Sequence, residues 1–234
     1  MLLAALERPS AYVPIDVSEE QLVETATALR TAFPGVDVQP VCGDYTAPLA
    51  LPVAPARAAR TLVFFPGSTI GNFEPGAARA FLANLRSLAG TGSMLLLGAD
   101  ANSDRESLVH AYDDPDGVTA AFDLNMLAHI NRTHAATFDL DAFMHRAVWN
   151  AARSRVEMHL VSRRAQTVTV ADRPIRFKRG EVIVTEHCYK HSPTVMADLL
   201  ARAGWQLRNV FQDPQSRMHL WLAEAGSGGS GGGD

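Results

Sequence analysis

Two aspartates, Asp16 and Asp44, each close a short apolar stretch, over residues 11–15 and 36–41. In an open α/β sheet, ligands bind beyond the carboxyl ends of the strands. An acid there can accept hydrogen bonds from both ribose hydroxyls of a nucleoside, and a second acid one strand further on can meet the amino group of an adenine. Aspartate also caps helices and turns, so each alone is compatible with a purely local role. Together, in this order, they favour a nucleoside cofactor.

Two further groups could do chemistry. Phe64-Phe65-Pro66-Gly67-Ser68-Thr69-Ile70-Gly71-Asn72-Phe73 runs an apolar strand into a glycine-rich turn, where bare backbone can approach a ligand and the Asn72 amide both donates and accepts. An ordinary strand-to-helix loop would read the same way from Gly67 and Gly71 alone. In Glu181-Val182-Ile183-Val184-Thr185-Glu186-His187-Cys188, strand alternation puts Glu186 and Cys188 on one face and His187 on the other. A carboxylate beside a small polar group could clamp a cationic or N–H-bearing ring. His187, Cys188 and His191 invite a zinc reading. The i, i+4 histidine spacing suits a helix and this stretch reads as extended, so no metal is expected.

The elements that must position these groups alternate. Residues 11–16 read as a strand, and Ser18 caps a helix with Glu19 and Glu20 in its first turn, ending at Pro34-Gly35. Residues 36–41 form the next strand. The fully apolar run 61–65 suits the middle of a parallel sheet, followed by a helix over 75–88 and a strand over 93–100. Strands alternating with helices predict an open α/β sheet. Residues 104–134 read as mostly helical. Beyond them come short antiparallel strands over 155–161, 167–171, 175–178 and 181–188, with turns at Asp172-Arg173-Pro174 and Arg179-Gly180. A helix over 192–203 has Ser192 as cap, Pro193 at its first position and Gly204 as its stop. Strands over 205–211 and 219–223 flank Asp213-Pro214, and the Gly/Ser segment 226–234 reads as a flexible coil.

Composition narrows the partners. The chain has 234 residues, 47% hydrophobic and 20% charged, enough apolar surface for a sizeable core. Its net charge of −4 comes from 21 basic and 25 acidic residues, with the basic ones scattered. That gives no electrostatic case for nucleic acid or an anionic membrane. No apolar run approaches the ~18–20 residues of a membrane helix. The start, Met1-Leu2-Leu3-Ala4-Ala5-Leu6-Glu7-Arg8, lacks the basic opening of a signal peptide. Two distant cysteines, Cys42 and Cys188, form neither a disulfide framework nor a zinc site, and a reducing cytoplasm is the expected location.

Tyr12-Val13-Pro14-Ile15-Asp16-Val17-Ser18, Gly67-Ser68-Thr69-Ile70-Gly71-Asn72, Ala111-Tyr112-Asp113-Asp114, Phe122-Asp123-Leu124-Asn125, Val156-Glu157-Met158-His159-Leu160 and Thr185-Glu186 keep one order along the chain. In them the sequence resembles the histidine-specific, S-adenosylmethionine-dependent Nα-methyltransferases of ergothioneine biosynthesis. The resemblance implies a Rossmann-like methyltransferase sheet with an inserted antiparallel, β-rich substrate-binding subdomain. It divides the chain into a partial core over 1–103, the insertion over 104–190, a C-terminal helix and strand pair over 191–225, and the tail. It implies that Asp16 holds the ribose of S-adenosylmethionine, and Asp44 with Tyr45 the adenine. Asn72 and Tyr112 would bind the carboxylate of L-histidine, with Gly67 offering backbone near the reacting amine. Glu186 and Cys188 would grip the imidazole, and Met158 would shape that pocket. The implied product is trimethylhistidine (hercynine), by a positioning mechanism without a catalytic acid or base.

Two departures from the family pattern set further expectations. The family has serine where this chain has Cys188, a weaker hydrogen-bond partner. The family's first strand and its Gly-rich cofactor loop would precede Met1. The expectation is therefore a sheet lacking its first strand, with the edges beside it open and little or no methyl transfer by the chain alone. The competing readings are a methyltransferase for another amino acid, such as tryptophan, and a non-catalytic remnant.

Overall fold

The computed structural model describes residues 2–53, 58–101, 104–212 and 218–226. In chain order its elements are α1 (Leu2–Ala5), β1 (Ala11–Tyr12), β2 (Ile15–Asp16), α2 (Glu19–Ala32), β3 (Asp37–Val38), β4 (Val41–Cys42) and β5 (Leu62–Phe65). A 3-10 turn (Thr69–Asn72) leads into α3 (Pro75–Ala89), β6 (Met94–Asp100), α4 (Arg105–Tyr112) and α5 (Val118–His134). Next come β7 (Phe143–Asn150), β8 (Arg155–Ser162), β9 (Gln166–Val170), β10 (Arg173–Phe177) and β11 (Val182–Tyr189). The chain closes with α6 (Pro193–Arg202), β12 (Trp205–Gln212) and β13 (Met218–Ala225).

The two strands expected over 11–16 and 36–41 are each broken in the middle. Both pairs run parallel in one register, Tyr12 opposite Val38 and Ile15 opposite Val41. Pro14 and Pro40 interrupt it because proline has no N–H to give the ladder. Helix α2 then starts where expected, with the Ser18 hydroxyl accepting from the Gln21 N–H.

The larger sheet is mixed. Its order is β12-β13-β6-β5, with only β5 and β6 parallel. Strand β5 was expected in mid-sheet; among the described strands it pairs with β6 alone, and Phe64 is 41% exposed. On this sheet pack α3 and α6, burying Ile70, Phe81, Leu82, Leu95, Leu97, Met196, Leu200 and Trp221. Each such aliphatic side chain contributes about 1.5–3 kcal/mol by leaving water.

The second sheet, β11-β8-β7, is antiparallel throughout, and the β9–β10 hairpin stands beside it. Strand β7 was not foreseen. The hairpin turns at Ala171 and Asp172, both at positive φ, so Pro174 lies inside β10 and not in the turn. Helix α5 covers this sheet over Leu127, Phe143 and Leu160, while α4 covers it over Leu108, Ala147 and Val156. Gly226, expected in the flexible tail, is tied down: its N–H donates to Gly204 and its carbonyl accepts from Arg86. Asp213-Pro214 and residues 227–234 lie outside the described residues.

Candidate functional site

Asp16 and Asp44 stand at the carboxyl ends of the neighbouring parallel strands β2 and β4, and Gly43 N–H donates to the Asp16 carbonyl at 2.9 Å. Both carboxylates also hold local turns, as aspartates at strand ends do. Asp16 Oδ1 accepts from Ser18 N–H at 2.9 Å, and Asp44 Oδ1 accepts from the N–H and hydroxyl of Thr46. Those Thr46 bonds hold the Asp44 carboxyl below its ordinary range, hydroxyl first. The Tyr45 ring packs into the core against Phe65 and Phe81, at 5.7 and 5.8 Å between centroids.

The glycine-rich turn leaves β5 at the same end of the sheet. Gly67 has φ of 83°, a left-handed conformation open to glycine, and a side chain there would meet nothing within 4 Å. Ser68 follows at φ 63°, and its hydroxyl accepts from the Asp100 N–H at the end of β6. A Cβ on Gly71 would lie 2.7 Å from the Tyr189 carbonyl oxygen and 2.9 Å from Cys188 Sγ. Only glycine lets the turn touch β11 so closely, which seats the turn that ends in exposed Asn72 against Cys188 and Tyr189.

Along β11, Glu186 stands opposite Met158 and Cys188 opposite Val156. The register slips at Thr185, whose hydroxyl donates to the Met158 carbonyl at 3.1 Å. The alternation expected from sequence is kept after that slip. His187 and Tyr189 face the other way, into a set of charges: Tyr189 Oη donates to Glu74 Oε2 at 2.7 Å, Arg155 to Glu74 Oε1 at 2.9 Å, and His187 Nε2 lies 3.5 Å from Glu74 Oε1. Glu157 receives Arg155, His159 and Asn150. Glu74 begins α3 directly after the Asn72 turn, so this network ties that turn to β8 and β11 from behind.

On the front of β11 a fourth segment converges. Tyr112 ends α4, and its phenol oxygen lies 3.1 Å from the Lys190 ammonium, which also reaches Cys188 Sγ at 3.5 Å and Asp100 Oδ2 at 2.7 Å. Burial, then the neighbouring Cys188 sulfur, push the Tyr112 phenol up to about 12, against the pull of Lys190. Burial alone would lower the Lys190 pKa; Cys188, Asp100 and Tyr112 outweigh it and keep the amine charged. From behind, His145 Nε2 lies 2.8 Å from the Tyr112 carbonyl and its Nδ1 2.8 Å from Asp123.

Of the residues singled out in the sequence, the fold brings Asn72, Tyr112, Met158, Glu186 and Cys188 around β11, while Asp16 and Asp44 form their own pair. Lys190, Asp100 and His145 were not foreseen as parts of the site. For Lys190 the signal was present, since it continues the Glu186, Cys188 alternation by two residues. Among the described residues no group of three or more His, Cys, Asp or Glu is placed to hold a metal ion. Nor is any described helix long and apolar enough to cross a membrane.

Residues 1–225 match the model of a protein family described as histidine-specific methyltransferase, SAM-dependent. A histidine N-alpha-methyltransferase of Mycobacterium tuberculosis (strain CDC 1551 / Oshkosh) is 42% identical over 235 residues, 98% of this chain and 69% of its own length. Its counterpart in Mycolicibacterium smegmatis is 41% identical over 229 residues, 95% of this chain and 70% of its own. Among solved structures, the CcbJ methyltransferase of Streptomyces caelestis superposes with a TM-score of 0.49 at 14% identity, covering 96% of this chain and 87% of that one.

Proposed function

This chain belongs to the histidine-specific, S-adenosylmethionine-dependent methyltransferases, and we propose that it transfers methyl groups to the α-amine of L-histidine, giving trimethylhistidine for ergothioneine biosynthesis. The observation that carries the reading within this chain is the convergence on one face of β11. Tyr112 and Cys188 share a single buried ammonium, and Gly71 seats the Asn72 turn against Cys188. Groups suited to a carboxylate and groups suited to a ring thus face one space from four separate segments.

The cofactor end fits the same reading. Asp16 and Asp44 offer carboxylates on adjacent strand ends, and the open space over the Gly67 backbone admits a ligand. Asp16 takes the ribose and Asp44 the adenine, with Tyr45 packed behind as support. When bound, S-adenosylmethionine supplies an electrophilic methyl on a sulfonium. The chain's part is to hold a neutral amine in line, within about 3 Å of its target, where orientation alone supplies much of the rate. Asn72 and Tyr112 hold the carboxylate, Glu186 and Cys188 hold the imidazole, and Met158 walls the ring. Gly67 presents backbone beside the amine.

The charge on Glu186 also selects the ring. Glu186 is half-buried in the free chain, and once a bound ring covers it, a carboxylate left without an N–H partner costs about 1–3 kcal/mol, which disfavours side chains that lack one. We divide the chain accordingly into core segments over 1–103 and 191–225, with the substrate-binding insertion over 104–190. The insertion carries the antiparallel sheet, and among the described strands β5 pairs with β6 alone and β2 with β4 alone. The test is mass spectrometry of histidine and tryptophan, mixed in equal amounts with S-adenosylmethionine and the purified chain. Even at the low turnover expected of the chain alone, the product expected is histidine carrying one to three added methyl groups. Preferential methylation of tryptophan would overturn the substrate assignment.

A further inference from the structure

Lys190 is given no substrate contact in the reading above, yet its ammonium is enclosed on the substrate face, with 4% of the side chain exposed. An ammonium has three protons. Here they meet three acceptors: Asp100 Oδ2 at 2.7 Å, Tyr112 Oη at 3.1 Å and Cys188 Sγ at 3.5 Å. The cation also lies 4.9 Å from the centre of the Tyr112 ring. Burying such a group is a poor route to stability, because desolvation offsets most of what the ion pair contributes and a packed apolar side chain does as well. A specific requirement for the charge accounts better for its presence.

That requirement follows from what the three acceptors do. Tyr112 Oη accepts from Lys190, so the phenol's own proton is turned away from the ammonium, toward the Cys188 sulfur or a substrate acceptor that replaces it. Cys188 is held by the same nitrogen, which fixes its sulfur relative to that phenol. Asp100 anchors the ammonium to the end of β6, where its N–H also holds the Ser68 hydroxyl beside Gly67. We propose that Lys190 is a positioning residue for the amino-acid substrate, setting the spacing between the group that takes its carboxylate, Tyr112, and the group that takes its ring, Cys188. This rests on the assignment of Tyr112 and Cys188 as substrate contacts.

The experiment is calorimetric titration of histidine and of histamine, which lacks the carboxylate, into the chain with S-adenosylhomocysteine present. It compares the unmodified chain, Lys190→Met, Tyr112→Phe and the double variant. Lys190→Met should weaken histidine about ten-fold, the size expected for one charge-assisted contact, and leave histamine within about two-fold. The double variant should lose less than the two single losses combined, because Tyr112 carries part of what Lys190 positions. Equal losses for both ligands, or additive losses in the double variant, would overturn the proposal. If Lys190→Met does not fold, Lys190→Gln keeps amide donors for Asp100 and Tyr112 and allows the same comparison. Histidine binding by the unmodified chain that Lys190→Met leaves intact overturns the role of the lysine alone. No histidine binding by the unmodified chain overturns the substrate reading with it.

Discussion

His145 Nε2 donates to the carbonyl oxygen of Tyr112 across 2.8 Å, so a strand of the second sheet holds the last residue of α4 by its backbone. A carbonyl can only accept, which puts a proton on Nε2. The other ring nitrogen faces Asp123 Oδ2 at 2.8 Å, and both side chains are 1% exposed. Tyr112 is therefore fixed at two points, its carbonyl by His145 and its phenol by Lys190.

Removing the histidine alone should be severe. His145→Leu leaves Asp123 buried without its partner, and Asp123 Oδ1 already has none among the described atoms. Such a loss costs about 3–5 kcal/mol. Replacing both residues, with Asp123→Leu added, should recover much of it, because an apolar pair of similar volume is often as stable as a buried polar pair. Urea melts of the single and double variants measure this. A double variant as unstable as the single one would show that the pair does more than satisfy itself.

The Gly71 contact gives a sharper structural expectation. In Gly71→Ala the new Cβ meets the Tyr189 carbonyl oxygen at 2.7 Å, and backbone cannot swing aside as a side chain can. The cost should be about 1–3 kcal/mol, with the Asn72 turn displaced from Cys188. Histidine KM should rise together with a lower Tm. Gly67→Ala meets no such wall and should lose only the left-handed preference, about 1–2 kcal/mol. Equal histidine KM values in Gly71→Ala and the unmodified chain would separate the turn from the substrate.

Some of this was legible in the sequence because the signals are local. Helix α6 carries its Ser192 cap, its Pro193 start and its Gly204 stop within one short stretch of chain. Strand β6 declares itself by an unbroken apolar run. Strand β7 does not, because its inward positions include His145, polar by type and buried only because Asp123, far away in sequence, meets it. Lys190 was missed for the same reason. A lysine reads as solvated until α4 and β6 are seen to enclose it against β11. The placement of Glu186 and Cys188 on one face was readable from alternation, and the register slip at Thr185 came before them, so it did no harm.

Acid should act through Glu157. Burial pushes its carboxyl up, but hydrogen bonds from His159, Arg155 and Asn150 outweigh that and hold it down to about 2, from an ordinary 4.5. A carboxyl depressed in the folded state stabilises fully above its ordinary value and loses that contribution as pH falls toward the folded one. The window is thus about pH 4.5 down to about pH 2. Glu157→Gln should lower Tm near neutral pH, and the gap from the unmodified chain should close as pH falls through that window. A gap that stays constant would place the acid sensitivity elsewhere.

Cys188 stands where the resemblance implies a serine, and its surroundings show what such a difference would affect. The sulfur is buried, accepts from Lys190 at 3.5 Å and lies against the Gly71 turn. A thiol offers a weak donor to an imidazole nitrogen, whereas a serine hydroxyl would offer a full one while still accepting from Lys190. With histidine bound the buried hydroxyl would have partners on both sides, which offset its desolvation. One improved hydrogen bond contributes about 0.5–1.5 kcal/mol, so Cys188→Ser should tighten histidine binding by roughly two- to ten-fold. Alanine, which has the same carboxylate and amine but no ring, should bind both forms equally. Titrating the two amino acids into both proteins separates a gain at the ring from a general change in the pocket. Unchanged or weaker histidine binding would remove Cys188 from the ring contact, and a parallel gain for alanine would move its influence to the carboxylate end through Lys190.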